Sequence, residues 1–191
     1  MPETLVIEER LVKEILEMKD VIPAVEAAFR ERGNGNVEMP PKMYIMYPKG
    51  DLRVMPAYLK GLGQTGLKAV TVFPNNPKEK NIPTVLATVI LIDAESGAPL
   101  AVMGGSWLTA MRTGAAGAIA AKYLAKKGAS KIAFIGTGIQ AHTQLMAHKE
   151  VMKIEKVYAV DANAESAKRF VEFAKSLGLE AEVADGEGAC K

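Results

Sequence analysis

The chain has 191 residues, a formal net charge of +2 and 49% hydrophobic residues, which suits one large or two small globular domains. The nearly balanced charge gives no reason to expect nucleic acid or a membrane surface as a partner, and the apolar run 85–92 is too short to cross a bilayer. The single cysteine, Cys190, excludes an intrachain disulfide, and the N-terminus does not resemble a signal peptide, so we expect a cytoplasmic protein.

Helices and one short strand are predicted in the first 33 residues. The strand covers residues 4–7, and apolar residues at helical spacing predict a helix over 8–18. A second helix is predicted over 21–32, with Asp20 as its N-cap and Pro23 in its first turn.

From Lys42 onward, the apolar residues follow the pattern of strands. Strands are predicted at 43–47, 52–59, 66–73, 84–93 and 99–103. The segment 74–83, PNNPKEKNIP, is predicted to be a loop, and the methionines Met39, Met43, Met46 and Met55 are interpreted as core residues. Residues 1–103 are therefore predicted to form one α+β domain built on an antiparallel meander.

A helix rich in small residues is predicted from Ser106, its N-cap, to about Lys126. Glycine inside a helix costs about 1 kcal/mol relative to alanine. Gly114 and Gly117 therefore indicate a close approach of a backbone or a ligand, although ordinary tight packing explains the glycines equally well. Residues 104–130 are assigned to this connecting segment.

Residues 131–161 carry the pattern of a dinucleotide-binding βαβ segment. The apolar strand 132–135 runs into Gly136-Thr137-Gly138-Ile139-Gln140-Ala141, a G-x-G-x-x-A turn that opens a helix. A second strand, 157–160, ends in Asp161, which follows Ala141 by 20 residues.

Each part of this pattern has a physical reason. Gly136 permits the tight turn, Gly138 lets a pyrophosphate approach the backbone, and Ala141 lets the helix pack on the strand. The helix N-terminus binds the phosphates, and Asp161 accepts a hydrogen bond from the ribose 2′-hydroxyl, which favours NAD over NADP. The alternative is a βαβ segment whose glycines only make a turn, but that alternative does not require Asp161.

A helix over 164–177 and a strand over 180–184 follow. Together, residues 131–191 supply about half of the six strands that a complete dinucleotide-binding fold uses. The predicted fold class is therefore α/β, with an α+β substrate and dimerisation domain followed by the first half of a Rossmann NAD-binding domain. Either a partner covers the open parallel edge or the sequence is truncated, and we expect truncation because an exposed parallel edge is a liability.

Four basic residues are candidates for binding an anionic substrate: Lys42, Arg53, Lys68 and Arg112. Cations are uncommon inside strands unless they are paired, and arginine binds carboxylates bidentately. A solvated strand face is the competing explanation for each of them. The histidines His142 and His148 are interpreted as surface or packing residues, and no metal site is predicted.

The sequence resembles the ornithine cyclodeaminase/μ-crystallin family, which includes archaeal-type alanine dehydrogenases. The matching stretches are MPPKMY, GDLRVMPAYL, GLKAV, NIPTVLATVILID, SGAPLAVM, MRTGAAGAIAAKYLA and IGTGIQA. The resemblance implies a homodimer that binds NAD and a small amino-acid or keto-acid substrate. Family members are much longer, so the resemblance also implies that this chain lacks a second Rossmann half and is inactive alone.

The resemblance assigns roles to individual residues. Lys42, Arg53 and Arg112 would bind the substrate, and Lys68 would be the catalytic lysine. The implied cofactor-binding residues are Arg112, Thr113, Gly136, Gly138, Ile139, Gln140, Asp161, Ala162 and Asn163.

The implied activity is that of an NAD-dependent oxidoreductase acting on a small amino acid. Alanine dehydrogenase, which converts alanine to pyruvate and ammonia, is the first expectation. Ornithine cyclodeaminase, which forms proline and ammonia, and a non-catalytic crystallin-like cofactor-binding protein are the alternatives.

Overall fold

The computed structural model describes residues 3–190 of the chain. Over that range the chain forms ten β-strands and six α-helices, and it divides into two compact units. Unit 1 contains the chain up to Leu16 and Ala27–Thr109, and unit 2 contains Glu17–Glu26 and the chain from Ala110 onward. Two of the three crossings between the units fall within helices, so each of those two helices contributes residues to both units.

Unit 1 is built on a seven-stranded sheet. Its strands are β1 Leu5–Ile7, β2 Val37–Glu38, β3 Met43–Tyr47, β4 Gly50–Leu59, β5 Gln64–Val72, β6 Val85–Asp93 and β7 Pro99–Gly104. The order is β1-β7-β6-β5-β4-β2, with β3 paired to β4, and every pair is antiparallel except β1 with β7. The helices are α1 Glu9–Ile15, the later part of α2 Met18–Gly33 and α3 Asn76–Glu79. The predicted meander is thus confirmed, and β2 is an additional strand.

The start of α2 corrects the predicted N-cap at Asp20. The carbonyl of Glu17 accepts hydrogen bonds from the Asp20 and Val21 N–H groups, so Asp20 lies in the first turn. Met18, Val21 and Ile22 are buried on the same helix. Because packing of these apolar residues stabilises the first turn, the helix begins earlier than its capping pattern predicts.

The segment 74–83 is not entirely a loop, because α3 forms one helical turn there. The Glu79 N–H donates to the Asn75 carbonyl at 2.8 Å, and the Asn76 side-chain amide donates to the Pro83 carbonyl at 3.2 Å. Local hydrogen bonds of this kind let a turn-rich segment close into a short helix.

The methionine prediction is wrong for the segment around β3. Met39, Met43 and Met46 are exposed, and Met46 retains 73% of its accessible surface. Every residue of β3 is exposed, so its apolar side chains do not enter the core of unit 1.

The predicted N-cap role of Ser106 is also wrong. Helix α4, Ser106–Leu124, begins at this residue, and the Gly105 carbonyl accepts the first helical bond from the Thr109 N–H. The Ser106 hydroxyl oxygen instead accepts a bond from the Ala87 N–H at 3.0 Å. The carboxylate of Glu9 caps the helix, accepting from the N–H groups of Ser106 at 3.1 Å and Trp107 at 2.6 Å. An acid at a helix N-terminus is also favoured by the helix dipole.

Unit 2 contains a three-stranded parallel sheet in the order β10-β9-β8. Its elements are β8 Lys131–Ile135, α5 Ile139–Val151, β9 Lys156–Val160, α6 Ala164–Ser176 and β10 Glu180–Val183, together with the first part of α2 and the later part of α4. The apolar core includes Leu145, Val157 and Phe170, each without accessible surface. This β-α-β-α-β order matches the first three strands of a Rossmann fold.

The small residues of α4 allow its backbone to approach α5 closely. A Cβ atom added at Gly114 would lie 2.4 Å from the Thr143 carbonyl oxygen, which belongs to the backbone of α5. A Cβ atom at Gly117 would meet only side-chain atoms, the end of Gln144 at 3.1 Å and the His148 ring at 3.6 Å. Gly114 is therefore required for helix packing, whereas Gly117 is not.

We expect Gly114→Ala to lower the free energy of unfolding by about 2 kcal/mol, because the backbones must separate and overpacking outweighs the gain in helix propensity. Gly117→Ala is the matched control and should be within about 1 kcal/mol of the wild type, or more stable. Urea denaturation of both variants measures the difference. Equal effects of the two substitutions would contradict this account of the α4–α5 contact.

Candidate functional site

The turn after β8 has the backbone conformation that the glycine pattern predicts. Gly136 has a φ of 89°, which is in the left-handed region, and its N–H donates to the Val160 carbonyl at 2.8 Å. A Cβ atom at Gly138 would meet no atom within 4 Å, so the space above this residue is open. Gly138 is the N-cap of α5, and no side chain caps that helix. The turn therefore offers backbone N–H groups and an open approach, which fits the phosphates of a dinucleotide.

Asp161 lies at the carboxyl end of β9, and its carboxylate contacts the glycine turn directly. Its Oδ2 accepts hydrogen bonds from the Thr137 N–H and the Thr137 hydroxyl, both at 2.7 Å. Its Oδ1 accepts from the Asn163 N–H at 2.8 Å. The bonds from the Asn163 N–H, the Thr137 N–H and the Thr137 hydroxyl, in that order of size, lower the pKa of Asp161. The carboxylate is thus ionised and held against the turn before any ligand binds.

The two residues after Asp161 begin α6. Asn163 is the N-cap of this helix, and its side-chain oxygen accepts from the N–H groups of Glu165 and Ser166. Ala162 is exposed beside it. The structure places both residues at the end of the sheet that carries the glycine turn, and their contact with a cofactor stays a prediction.

Ile139 and Gln140 occupy the first turn of α5 but differ in exposure. Ile139 is exposed, whereas the side-chain oxygen of Gln140 is buried and accepts no hydrogen bond within the described range. Gln140 lines an open groove of about 390 Å³ beside β8, together with Gln144 and His148. Gln140 is therefore placed next to the turn, and Gly136 of the turn lines the same groove.

In unit 1, the guanidinium group of Arg53 is fixed by two neighbours. Its Nε donates to Asp51 Oδ1 at 2.6 Å, and its Nη2 donates to Asp51 Oδ2 at 3.0 Å. The ring of Tyr44, directly opposite on β3, lies 5.5 Å from the guanidinium carbon. The bond from Arg53 lowers the pKa of Asp51 and raises that of Arg53. Asp51 accepts hydrogen bonds from the edge of the guanidinium formed by Nε and Nη2. The edge that contains Nη1 has no hydrogen-bond acceptor among the described residues.

The register of the sheet places Lys68 on the same face as Arg53. Arg53 pairs with Val70 and Met55 pairs with Lys68, and side chains two residues apart along a strand share a face. Both cations are half-buried, so they are not on a fully solvated face. Lys42 directly precedes β3, two positions before Tyr44, and is exposed.

Arg112 and Thr113 lie on the part of α4 that belongs to unit 2. They directly precede Gly114, which packs against the α5 backbone at Thr143. Much of the Arg112 side chain is accessible, yet the surrounding atoms desolvate the guanidinium and lower its pKa. Thr113 is half-buried. Their contacts with substrate and cofactor remain predictions.

The two histidines pack against aromatic rings, as expected. His148 is buried with its ring edge-on to Phe134, and the His142 ring lies 4.6 Å from the Phe173 ring, centroid to centroid. Over residues 3–190, no group of three or more His, Cys, Asp or Glu side chains could hold a metal ion. None of the helices in that range has the length and apolar character needed to cross a membrane.

Three residues of the two sites were not identified from the sequence. Thr137 occupies a variable position of the G-x-G-x-x-A pattern. Asp51 was predicted to lie in a turn and Tyr44 in a strand, with no further role for either. Asp51 is two residues from Arg53, which places both on one strand face and could have indicated the pair. Neither Thr137 nor Tyr44 gave any comparable signal.

Comparison with known proteins identifies a family. The model of the ornithine cyclodeaminase/mu-crystallin family matches residues 3–189. An alanine dehydrogenase from Archaeoglobus fulgidus is 46% identical over 189 residues, which cover 99% of this chain and 58% of that protein.

Two solved structures have the same fold. An archaeal alanine dehydrogenase dimer with bound NAD superposes with a TM-score of 0.93 at 46% identity, covering 97% of this chain and 57% of that one. Thermococcus litoralis Δ(1)-pyrroline-2-carboxylate reductase, solved with NADH and L-proline, gives 0.92 at 40% identity, with 97% and 58% covered. The predicted fold class is confirmed, and the chain spans a little under three fifths of the length of these proteins.

Proposed function

The chain belongs to the ornithine cyclodeaminase/mu-crystallin family, and we propose that it binds NAD and takes part in hydride transfer at the α-carbon of a small amino acid. The observation that carries the proposal is the preformed glycine turn with the Asp161 carboxylate held against it. The two solved relatives were obtained with NAD and NADH, which supports the same cofactor.

The cofactor preference follows from charge. Asp161 is ionised at neutral pH, since its hydrogen bonds lower its pKa. An ionised carboxylate accepts a bond from the ribose 2′-hydroxyl of NAD but repels the 2′-phosphate of NADP.

The substrate class follows from the chemistry that the relatives share. Alanine and proline both carry a carboxylate and a nitrogen on the carbon from which a hydride leaves. In the alanine reaction, NAD⁺ accepts the hydride, the nitrogen loses a proton, and water converts the resulting imine to pyruvate and ammonia. We propose this alanine reaction first, because the archaeal alanine dehydrogenases are 46% identical to the chain.

The second candidate is chemistry on a cyclic amino acid, which the relative solved with L-proline favours. Ornithine cyclodeamination also produces proline and remains open as an assignment. A crystallin-like protein that binds NAD without turnover is the non-catalytic alternative. Turnover assays with alanine, proline and ornithine distinguish the catalytic functions from one another. NAD binding in a titration without turnover of any of the three substrates would indicate the non-catalytic alternative.

We assign the substrate carboxylate to Arg53. Asp51 and Tyr44 hold the guanidinium, and its Nη1 edge is suited to a second bidentate carboxylate contact. Lys68 shares the strand face and is proposed as the residue that moves the proton of the substrate nitrogen. Lys42 and Arg112 are further proposed substrate contacts, with Arg112 and Thr113 also contacting the cofactor.

We further propose a homodimer in which a second copy covers β3. The five residues of this strand are all exposed, and monomeric proteins rarely leave a long apolar edge strand uncovered. The archaeal alanine dehydrogenase was solved as a dimer, which supports this proposal.

Titration of the 191-residue chain with NADH and NADPH tests the proposed preference for NAD over NADP. We expect NADH to bind at least about tenfold more tightly, because only NADPH places a phosphate near Asp161. Asp161→Asn should reduce this ratio, and Glu172→Gln, an exposed acid on α6, should leave it unchanged. Equal or tighter binding of NADPH by the wild type would refute the assignment.

Kinetics of a chimera test Arg53, with the present chain replacing the matching part of the Archaeoglobus fulgidus alanine dehydrogenase. Arg53→Lys should raise KM for alanine by about tenfold or more, because an ammonium cannot reproduce the bidentate contact, and leave the Kd of NADH nearly unchanged. Arg30→Lys, an exposed arginine on α2, is the control. Unchanged KM and kcat in Arg53→Lys would show that Arg53 does not bind the substrate carboxylate and is only a strand-surface residue.

Sedimentation equilibrium tests the dimer. Ile45→Lys in β3 should weaken the dimer by about tenfold or more, since it introduces a desolvated charge into the proposed interface. Leu124→Lys on α4, which is even more exposed, is the control and should have no effect. A wild-type chain that stays monomeric, or an unaffected Ile45→Lys dimer, argues against an interface at β3.

A further inference from the structure

The hydroxyl of Thr137 makes a contact that the dinucleotide-binding pattern does not assign. Both the N–H and the hydroxyl of this residue donate to the same oxygen of Asp161, at 2.7 Å each. The residue is 3% exposed, so its side chain is enclosed by protein and not displayed to a ligand. The contact joins the turn after β8 to the end of β9.

These bonds determine which lone pairs of the carboxylate remain for a ligand. An ionised carboxylate has about four acceptor positions, two on each oxygen. Among the described residues, Thr137 fills both positions on Oδ2, and the Asn163 N–H fills one on Oδ1. One position on Oδ1 is left, which matches a single ribose hydroxyl.

We propose that Thr137 is a positioning residue that fixes the orientation of the Asp161 carboxylate and thereby sets the discrimination between NAD and NADP. The inference rests on the proposed NAD binding and deepens it. Thr137 itself does not touch the cofactor.

The physical reason is rotational freedom. With one bond to each oxygen, from the Thr137 and Asn163 N–H groups, the carboxylate can still rotate away from a bulky anion. The second bond on Oδ2 opposes that rotation. The carboxylate therefore cannot turn away from a 2′-phosphate, and the electrostatic repulsion between them is not relieved. The same restraint lowers the entropy that Asp161 loses when it accepts the ribose hydroxyl of NAD.

The experiment compares Thr137→Val and Thr137→Ser in the 191-residue chain. Valine keeps the shape and removes the hydroxyl, whereas serine restores it. Titration with NADH and NADPH should show that valine weakens NADH binding by about tenfold and weakens NADPH binding much less, so the preference falls by a similar factor. Serine should retain most of the wild-type preference.

Two further measurements keep the result interpretable. Thermal unfolding of the free variants reports folding, and Thr137→Ala serves as a second hydroxyl-free variant if valine does not fold. Carbon-13 NMR of the Asp161 carboxyl in the free protein should show that loss of the hydroxyl raises the pKa of Asp161, since the hydroxyl stabilises its ionised form.

The outcomes separate this inference from the proposed function. A wild-type chain that binds NADH with a clear preference supports the function, and an unchanged preference in the folded valine or alanine variant then overturns the role of Thr137. Equal weakening of both cofactors without rescue by serine also overturns it, because a purely structural defect would have that effect. If the wild type binds neither cofactor, the proposed function fails first.

Discussion

The contact between the Asp161 carboxylate and Thr137 is the interaction on which the glycine-turn end of unit 2 depends. It joins the turn after β8 to the end of β9, and the bond from the Gly136 N–H to the Val160 carbonyl joins the same two segments through the backbone. The contact fixes the conformation of the glycine turn and therefore the direction of the α5 N-terminus, while Gly114 lets α4 pack closely on that helix. Asp161 thus already has a structural role in the free protein, beside its proposed contact with the ribose.

Unit 1 holds its own candidate ligand-binding group in the same manner. Asp51 binds one edge of the Arg53 guanidinium, and Tyr44 covers its plane. In both units, a charged side chain is fixed by neighbours that leave one guanidinium edge or one carboxylate lone pair without a bonded partner among the described residues, and we propose that a ligand binds there. Fixing these groups before binding lowers the entropy cost of binding and is the main physical argument that the chain binds ligands.

The elements of this fold follow from the sequence because their signals are local. The alternation in β4 to β7 and the strand-turn-helix pattern around Gly136 predicted the strands within a few residues. Two of the failures arise from the tertiary fold, whereas the errors at Asp20 and in 74–83 involve local hydrogen bonds. Glu9 caps α4 across nearly one hundred residues, so Ser106 carries a capping pattern that the fold does not use. The exposed methionines of β3 have the composition of a core strand, and only the folded sheet shows that they lie outside it. The sequence identified Asp161 and Arg53 but not the residues that orient them, although Asp51 is only two residues from Arg53.

Amide hydrogen exchange in the free and NAD-bound chain tests most directly whether the turn is formed before the cofactor arrives. The account predicts that the Thr137 and Asn163 amides are already protected in the free chain, because both donate to Asp161. Addition of NAD should then increase protection mainly at the first turn of α5. Thr137 and Asn163 amides that exchange freely without NAD and become protected only after its addition would contradict the account.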